Sequence, residues 1–310
     1  MIRGPKFSVI IPVFNGEKTI ARALESVLDQ TYPPHEIIVI DDGSEDRTED
    51  AVNRFSKNVH YFKQTNQGVS VSRNNGARIA TGNWLTFLDA DDYYYPDRLE
   101  THADYLIAFP KLGFLTSDFD YRDPSGKLIK RSMTNNAAGQ ALLERADQKD
   151  RAIIEQHEME DFVSQHFGDT HTLSVRRSDF IQLGGYPSRF AVCEDVHFLI
   201  RLCAQVDSIG VICRPLAAYI IHANSATRSN PLRAQRQTVE AFSSLIDESE
   251  NYPKAIQIGL RGALRHARLD HATVLLKQGS HLRALCAIIP ELRQSPGYRS
   301  LRDVLSIAKG

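Results

Sequence analysis

The stretch Asn83–Glu100, NWLTFLDADDYYYPDRLE, constrains the fold of this chain most. An apolar run, Trp84 to Leu88, ends in three carboxylates, Asp89, Asp91 and Asp92. An interior strand gains no stability from such an ending. Crowded like charges repel and raise one another's pKa unless a cation or hydrogen-bond donors sit among them. Hard oxygen ligands at a strand end suit magnesium or manganese, which take one or two carboxylates together with substrate phosphates. The competing reading is a solvated acidic turn feeding a helix that Pro96 starts.

Two earlier runs have the same character. Lys6–Ile11 (KFSVII) reads as a first buried strand, and Glu36–Ile40 (EIIVI) is apolar on both faces, as central parallel strands are. Glu17–Asp29 carries Ile20, Leu24, Val27 and Leu28 at helical spacing. Arg47–Phe55 and Gly68–Ala80 read as further helices, with a short strand at Val59–Phe62 between them. Strands alternating with helices predict an α/β sheet with right-handed crossovers.

The middle of the chain is less regular. Leu112–Tyr121 and Leu173–Arg177 read as strands, and Asp123-Pro124-Ser125-Gly126 as a turn. Asn135–Gln165 is polar and weakly helical. Arg177–Leu183 reads as a short helix, Val196–Gln205 as an amphipathic one, and Ile209–Cys213 as a short strand. After Asn230 helix formers dominate: one helix over Ala234–Asp247, then Ala255–Lys277 and Leu282–Leu292 as an antiparallel pair joined at Gly279. Between Lys254 and Arg299 eight Lys or Arg face two acids, Asp270 and Glu291. That basic amphipathic segment reads either as a solvated face or as a contact for an anionic membrane surface or a second subunit.

Bulk properties narrow the function. A chain of 310 residues with 42% hydrophobic and 24% charged residues is an ordinary globular protein. A net charge of −1 excludes the strong global field of a nucleic-acid binder. Cys193, Cys203, Cys213 and Cys286 form no metal-like spacing and read as small core residues of a reducing compartment. No segment is apolar enough for a membrane span or a signal peptide. The expected location is the cytoplasm, with peripheral contact at the inner membrane face as the extension.

Open α/β sheets bind ligands at the carboxyl ends of their strands. Three polar clusters fall there: Pro12-Val13-Phe14-Asn15, Asp41-Asp42-Gly43-Ser44 and Asp89-Ala90-Asp91-Asp92. A GxGxxG turn and a Walker lysine loop are both missing, which disfavours dinucleotide binding and P-loop phosphoryl transfer. A nucleotide site with a carboxylate-held divalent metal remains. Further on, Cys193-Glu194-Asp195 opens a helix. By itself Asp195 reads as a cap or first-turn acid, and its functional alternative is a general base.

Taken together, FSVIIPVFN, EIIVIDDGSEDRT, NQGVSVSRNNGARIATGNWLTFLDADDYYYPDRLE and GGYPSRFAVCEDVHFLIRL resemble the family 2 glycosyltransferases with the GT-A fold. The resemblance runs from about residue 6 to about residue 228. It implies a Rossmann-like, mostly parallel central sheet flanked by helices. The implied division is a transferase domain over 1–228 (nucleotide-sugar half 1–110, acceptor half 111–228) and a helical C-terminal appendage over 229–310. It also implies an inverting transfer from a nucleotide sugar, a UDP-sugar first, to a glycan, lipid-linked or protein acceptor, with manganese or magnesium bound.

By position, Pro12, Val13, Asn15, Asp41, Asp42, Gly68, Arg73, Asp89 and Ala90 would serve the donor, with Asp41 supporting its loop. Asp91 would hold the metal and Asp92 would cap the next helix. His222 would contact metal or diphosphate, joined by Arg228. Asp195 would be the general base, with Glu194 orienting base or acceptor. His171, Arg176, Arg177 and Tyr93-Tyr94-Tyr95 read as structural. A catalytically silent nucleotide-binding or assembly module is the alternative. A nucleotidyltransferase is disfavoured because Pro12–Gly16 is not a Gly-rich loop with a lysine. A processive synthase is disfavoured because a QxxRW-type motif and membrane helices are missing.

Overall fold

A computed structural model describes residues 4–165, 169–222, 230–294 and 297–309. Its first half follows the alternation expected from the sequence. Strand β1 (Phe7–Val13) leads to α1 (Ile20–Leu28), β2 (Glu36–Asp41), α2 (Thr48–Asn53), β3 (His60–Lys63), α3 (Val69–Ile79), β4 (Trp84–Phe87), the two-residue β5 (Tyr93–Tyr94) and α4 (Arg98–Ala108). The middle holds β6 (Phe114–Arg122), β7 (Leu128–Arg131), α5 (Ala137–Arg145), β8 (Arg151–Glu155), α6 (Met159–Gln165), β9 (Ser174–Arg176), α7 (Arg177–Gln182), α8 (Glu194–Cys203) and β10 (Ser208–Ile220). The tail is helical: α9 (Pro231–Glu248), α10 (Lys254–Lys277), α11 (His281–Ile288), α12 (Pro290–Gln294) and α13 (Tyr298–Lys309).

One sheet runs in the order β3-β2-β1-β4-β9-β6-β10-β5, with β7 beside β6 and β8 beside β10. Strands β3, β2, β1 and β4 are parallel, as are β6 and β10; β9 is antiparallel to both β4 and β6. Strand β1 is buried along its whole length and on both faces. Val9 and Ile11 pack into a layer with α1 and α4, and Ile10 into the layer on the other side. Registers of Val13 against Asp41 and of Phe7 against Trp84 bring the carboxyl ends of β1, β2 and β4 to one sheet edge.

Several elements differ from the sequence expectation. Strand β10 continues to Ile220 rather than stopping at Cys213. Pro215 cannot donate to the ladder, so its run reads as broken; the strand crosses that point through register irregularities against β6. Strand β8 lies inside the segment expected to be weakly helical. Five residues with alternating burial pair with β10, and that long-range pairing overrides a weak local preference. Helix α8 begins at Glu194, so Glu194 and Asp195 are both first-turn acids.

The tail does not stand apart from the α/β body. Ala241, Phe242 and Leu245 of α9 and Ile256, Leu260, Ala263 and Leu264 of α10 share a core with Phe162 and Val163 of α6. Helices α11 and α13 build a small core of their own on the far end of α10, around Ala272, Leu275, Ala284, Ile288 and Ile307. Two of the tail's basic residues turn inward: Arg265 pairs with Asp303 at 2.7 Å and Arg268 pairs with Glu291. The proposed boundary at 228 falls within residues 223–229, outside the described residues.

Candidate active site

The carboxyl edge of β1, β2 and β4 opens into a cavity of about 1090 Å³ lined by Pro12, Val13, Asn15, Asp42, Asp89, Ala90, Asp91 and His222. The first loop is locked to the second. Asn15, in the left-handed region at φ 52°, donates its N–H to Ser44 Oγ and accepts from the Glu45 N–H, both at 2.9 Å.

Asp41 and Asp42 part company because adjacent residues at a strand end point to opposite sides. Asp41 is fully buried, accepts from Ser44 N–H at 2.7 Å and from Tyr61 Oη at 2.5 Å, and lies behind the cavity as the support of its loop. Asp42 faces the cavity, but both its oxygens are engaged. Oδ1 accepts from Gln67 N–H at 2.9 Å and Gln64 Nε2 at 2.8 Å, and Oδ2 accepts from Gly68 N–H at 2.7 Å. Gly68, at φ 91°, takes a conformation that side chains disfavour and so turns its N–H onto that carboxylate at the start of α3.

Arg73, on α3, is 3% exposed. Its guanidinium joins the two acidic motifs, reaching Asp89 Oδ1 at 2.6 Å and Glu194 Oε1 at 2.8 Å. Asp91 stays open to the cavity, its Oδ2 2.6 Å from His222 Nε2. Asp92 does not cap the next helix. It is buried and accepts the Ile220 N–H at 2.8 Å, which fastens the end of β10, and so His222, beside Asp91. Burial together with Asp91 and Asp89 holds the Asp92 carboxyl well above the usual range.

A second cavity of about 560 Å³ shares Val69, Asp89 and Asp91 with the first and is lined also by Asp195. The Asp195 carboxylate accepts from Thr170 Oγ1 at 3.3 Å and from Val196 N–H at 2.8 Å. Cys193, just before this helix, sits at φ 70°, a costly conformation for a residue with a Cβ that sets the angle at which Glu194 and Asp195 enter the cleft. Burial and the neighbouring Asp195 push Glu194 up to about 7 despite Arg73. Burial and Asp195 do the same to Asp169, also to about 7.

The structure brings to these cavities several residues that sequence reasoning missed. Lys18 and Arg22 line the first one, at the start of α1. Phe14 stands half exposed on its rim. Asp169, Tyr121, Tyr219, Lys130 and Thr238 line the second. An aromatic or basic residue on a loop has no local signature of what the fold will set beside it. His171 lines the second cavity but is buried and neutral, its pKa lowered to about 3 by desolvation. Arg176 lies over the Trp84 ring and bonds the Pro110 carbonyl, and Arg177 bonds the carbonyls of Ala77 and Arg78. Tyr94 and Tyr95 are tied to the Phe87 carbonyl and to Asp120. Arg228 lies outside the described residues.

Among the described residues no group of three or more His, Cys, Asp and Glu could hold a metal by itself. The Asp91–His222 pair nonetheless fits a divalent ion that completes its shell with diphosphate oxygens and water.

The edge of the parallel sheet thus carries a nucleotide-sized cavity lined by the Asp91–His222 pair, adjoining a second one lined by Asp195. The model of the family described as "Glycosyl transferase family 2" matches residues 8–181, and the chain belongs to that family. Glycosyltransferase GlyA of Streptococcus pneumoniae is 39% identical over 33% of this chain, a match that spans 15% of GlyA. An uncharacterized glycosyltransferase of Haemophilus influenzae is 24% identical over 79% of this chain and 80% of its own length. Among solved structures, residues 1–349 of S. aureus TarS superpose with a TM-score of 0.68 at 18% identity, covering 98% of this chain and 89% of that one. A mannosyltransferase from Pyrobaculum calidifontis, solved with GDP-Man and Mn2+, superposes with a TM-score of 0.66 at 18% identity, covering 99% and 81%.

Proposed function

We propose that this protein transfers a sugar from a nucleoside-diphosphate sugar to an acceptor hydroxyl with inversion at the anomeric carbon. The observation that carries this reading is the pair of joined cavities, with Asp89 and Asp91 lining both, His222 beside Asp91 and Asp195 lining the second. TarS has been solved with UDP-GlcNAc, which makes a UDP-sugar the first donor to test.

The nucleotide would lie over β1 and β2, its base against Phe14 and near Asp42, because bases stack on exposed aromatic faces. Lys18 and Arg22 would face the diphosphate. Asp91 and His222 would hold a divalent metal, which neutralises charge on the leaving diphosphate when bound. The bond from the anomeric carbon to the diphosphate breaks as the acceptor oxygen bonds from the opposite face. Asp195 takes the acceptor proton, a contribution of about 10²- to 10⁴-fold. Arg73 holds Asp89 and Glu194 in one unit, so donor and acceptor sides keep their spacing. The acceptor, a glycan, lipid-linked or protein hydroxyl, would occupy the second cavity.

Thermal unfolding with UDP, GDP, dTDP and CDP, each with and without manganese, tests this reading, since a ligand bound by the native state alone raises stability. One nucleotide should stabilise the protein in a manganese-dependent way, and Asp91→Ala should lose the dependence. Asp195→Asn should keep the shift and lose donor turnover by about 10²-fold or more. No shift with any nucleotide would favour the silent module. Normal turnover by Asp195→Asn would remove the assigned base.

A further inference from the structure

Packing of the last helices sorts their charges by sign. Within 277–309 the acids are Glu291 and Asp303, and both are buried. Glu291 is consumed by Arg268, and Asp303 by Arg265. The outward surface therefore keeps cations: Lys277, Arg283 and Arg293 are exposed, and Arg302 is 64% exposed although it stands 3.9 Å from Asp303.

Apolar side chains are interleaved with these cations. Leu282 is 81% exposed, and Ile289 shares a shallow groove with Cys286, Pro290 and Arg293. On α13 the inner face buries Ser300, Asp303 and Ile307, while Tyr298, Leu301 and Leu305 line a second groove outside together with Arg302. The spacing 298, 301, 305 is one helical stripe, so α13 is apolar on two sides and covered on one. Soluble surfaces rarely leave such a stripe bare, and cations among exposed leucines with a tyrosine at the edge are the composition of a helix lying in a bilayer interface.

We propose that the outer face of α11–α13 seats the protein on an anionic lipid surface. Charge complementarity selects this occupant. A second copy docking the same face against itself would oppose arginine to arginine with no exposed acid on the described face to answer it. This surface would seat the protein whatever the chemical class of the acceptor.

Flotation of the full-length protein with vesicles of phosphatidylcholine, or of phosphatidylcholine mixed with phosphatidylglycerol, tests it, with sedimentation giving the oligomeric state. Binding to the anionic vesicles should exceed binding to the neutral ones by about tenfold or more and weaken as salt rises. Arg283→Glu with Arg293→Glu, and separately Leu301→Ser with Leu305→Ser, should each lower partitioning by about tenfold while thermal unfolding and nucleotide binding stay at wild-type values. Equal binding to both vesicle types, or wild-type partitioning by both variants, would overturn the proposal. So would a dimer that either variant dissolves.

Discussion

Asp169 shows how a single residue acquires a property that its neighbours in sequence do not indicate. It joins Asp195 and Glu194 at the second cavity, and its carboxyl is pushed up to about 7 by burial, Asp195, Asp89 and Glu194. In the unfolded chain the same group ionises near 4. Between those values the native state holds a proton that the unfolded state has lost, so stability falls as pH rises, and the loss is complete above about 7. Asp169→Asn removes that term. The variant should gain on the wild type by on the order of 1–2 kcal/mol between pH 4 and 7, discounted for the water the cleft admits, and hold that lead at higher pH. Denaturant unfolding at pH 5 and pH 8 checks it, and a stability difference independent of pH would refute it. Asp195 drew notice in the sequence because it sits in a family motif. Asp169 did not, because its property is set by Asp195, Asp89 and Glu194, which lie far from it in sequence.

At the scale of elements, the donor side depends on how closely α3 lies on the sheet. A Cβ on Gly76 would stand 2.5 Å from Ile10 Cγ2 and 3.4 Å from Ile40 Cγ1. Gly76 thus sets the distance between α3 and the β1–β2 pair, and α3 carries Arg73. Gly76→Val should cost about 1–3 kcal/mol through overpacking and should also lower donor turnover, because Arg73 would shift against Asp89 and Glu194. Chemical denaturation and turnover on the same sample read both effects. Unchanged stability would mean that the helix yields without cost. Apolar periodicity made α1, α3 and α8 legible, and double-sided burial did the same for β1 and β2. It could not reach β8, whose strand character comes from pairing with the first half of β10, or the second half of β10, which pairs with β6 and β5.

At the scale of the whole molecule, the helical tail is a wall of the protein and not an accessory to it. Phe242 and Leu245 of α9 and Leu260 and Leu264 of α10 pack with Phe162, Val163 and Phe198 in one core, and Thr238 of α9 lines the second cavity. Ending the chain at residue 229 would bare that core. The shortened protein should lose its cooperative thermal transition, read by calorimetry, and a sharp transition near that of the full chain would show the α/β body to be independent. No described helix is long and apolar enough to cross a membrane. What the sequence by itself determined is the α/β framework and the four motifs, because hydrophobic period and strand-end chemistry are local properties of neighbouring residues. Tertiary structure alone decided that Arg73 ties Asp89 to Glu194, that Asp92 anchors β10, and that Glu291 and Asp303 are hidden while Arg283, Arg293 and Arg302 stay exposed. Each of these depends on which distant groups share a volume, and burial and ion pairing act between neighbours in space that the order of residues does not reveal.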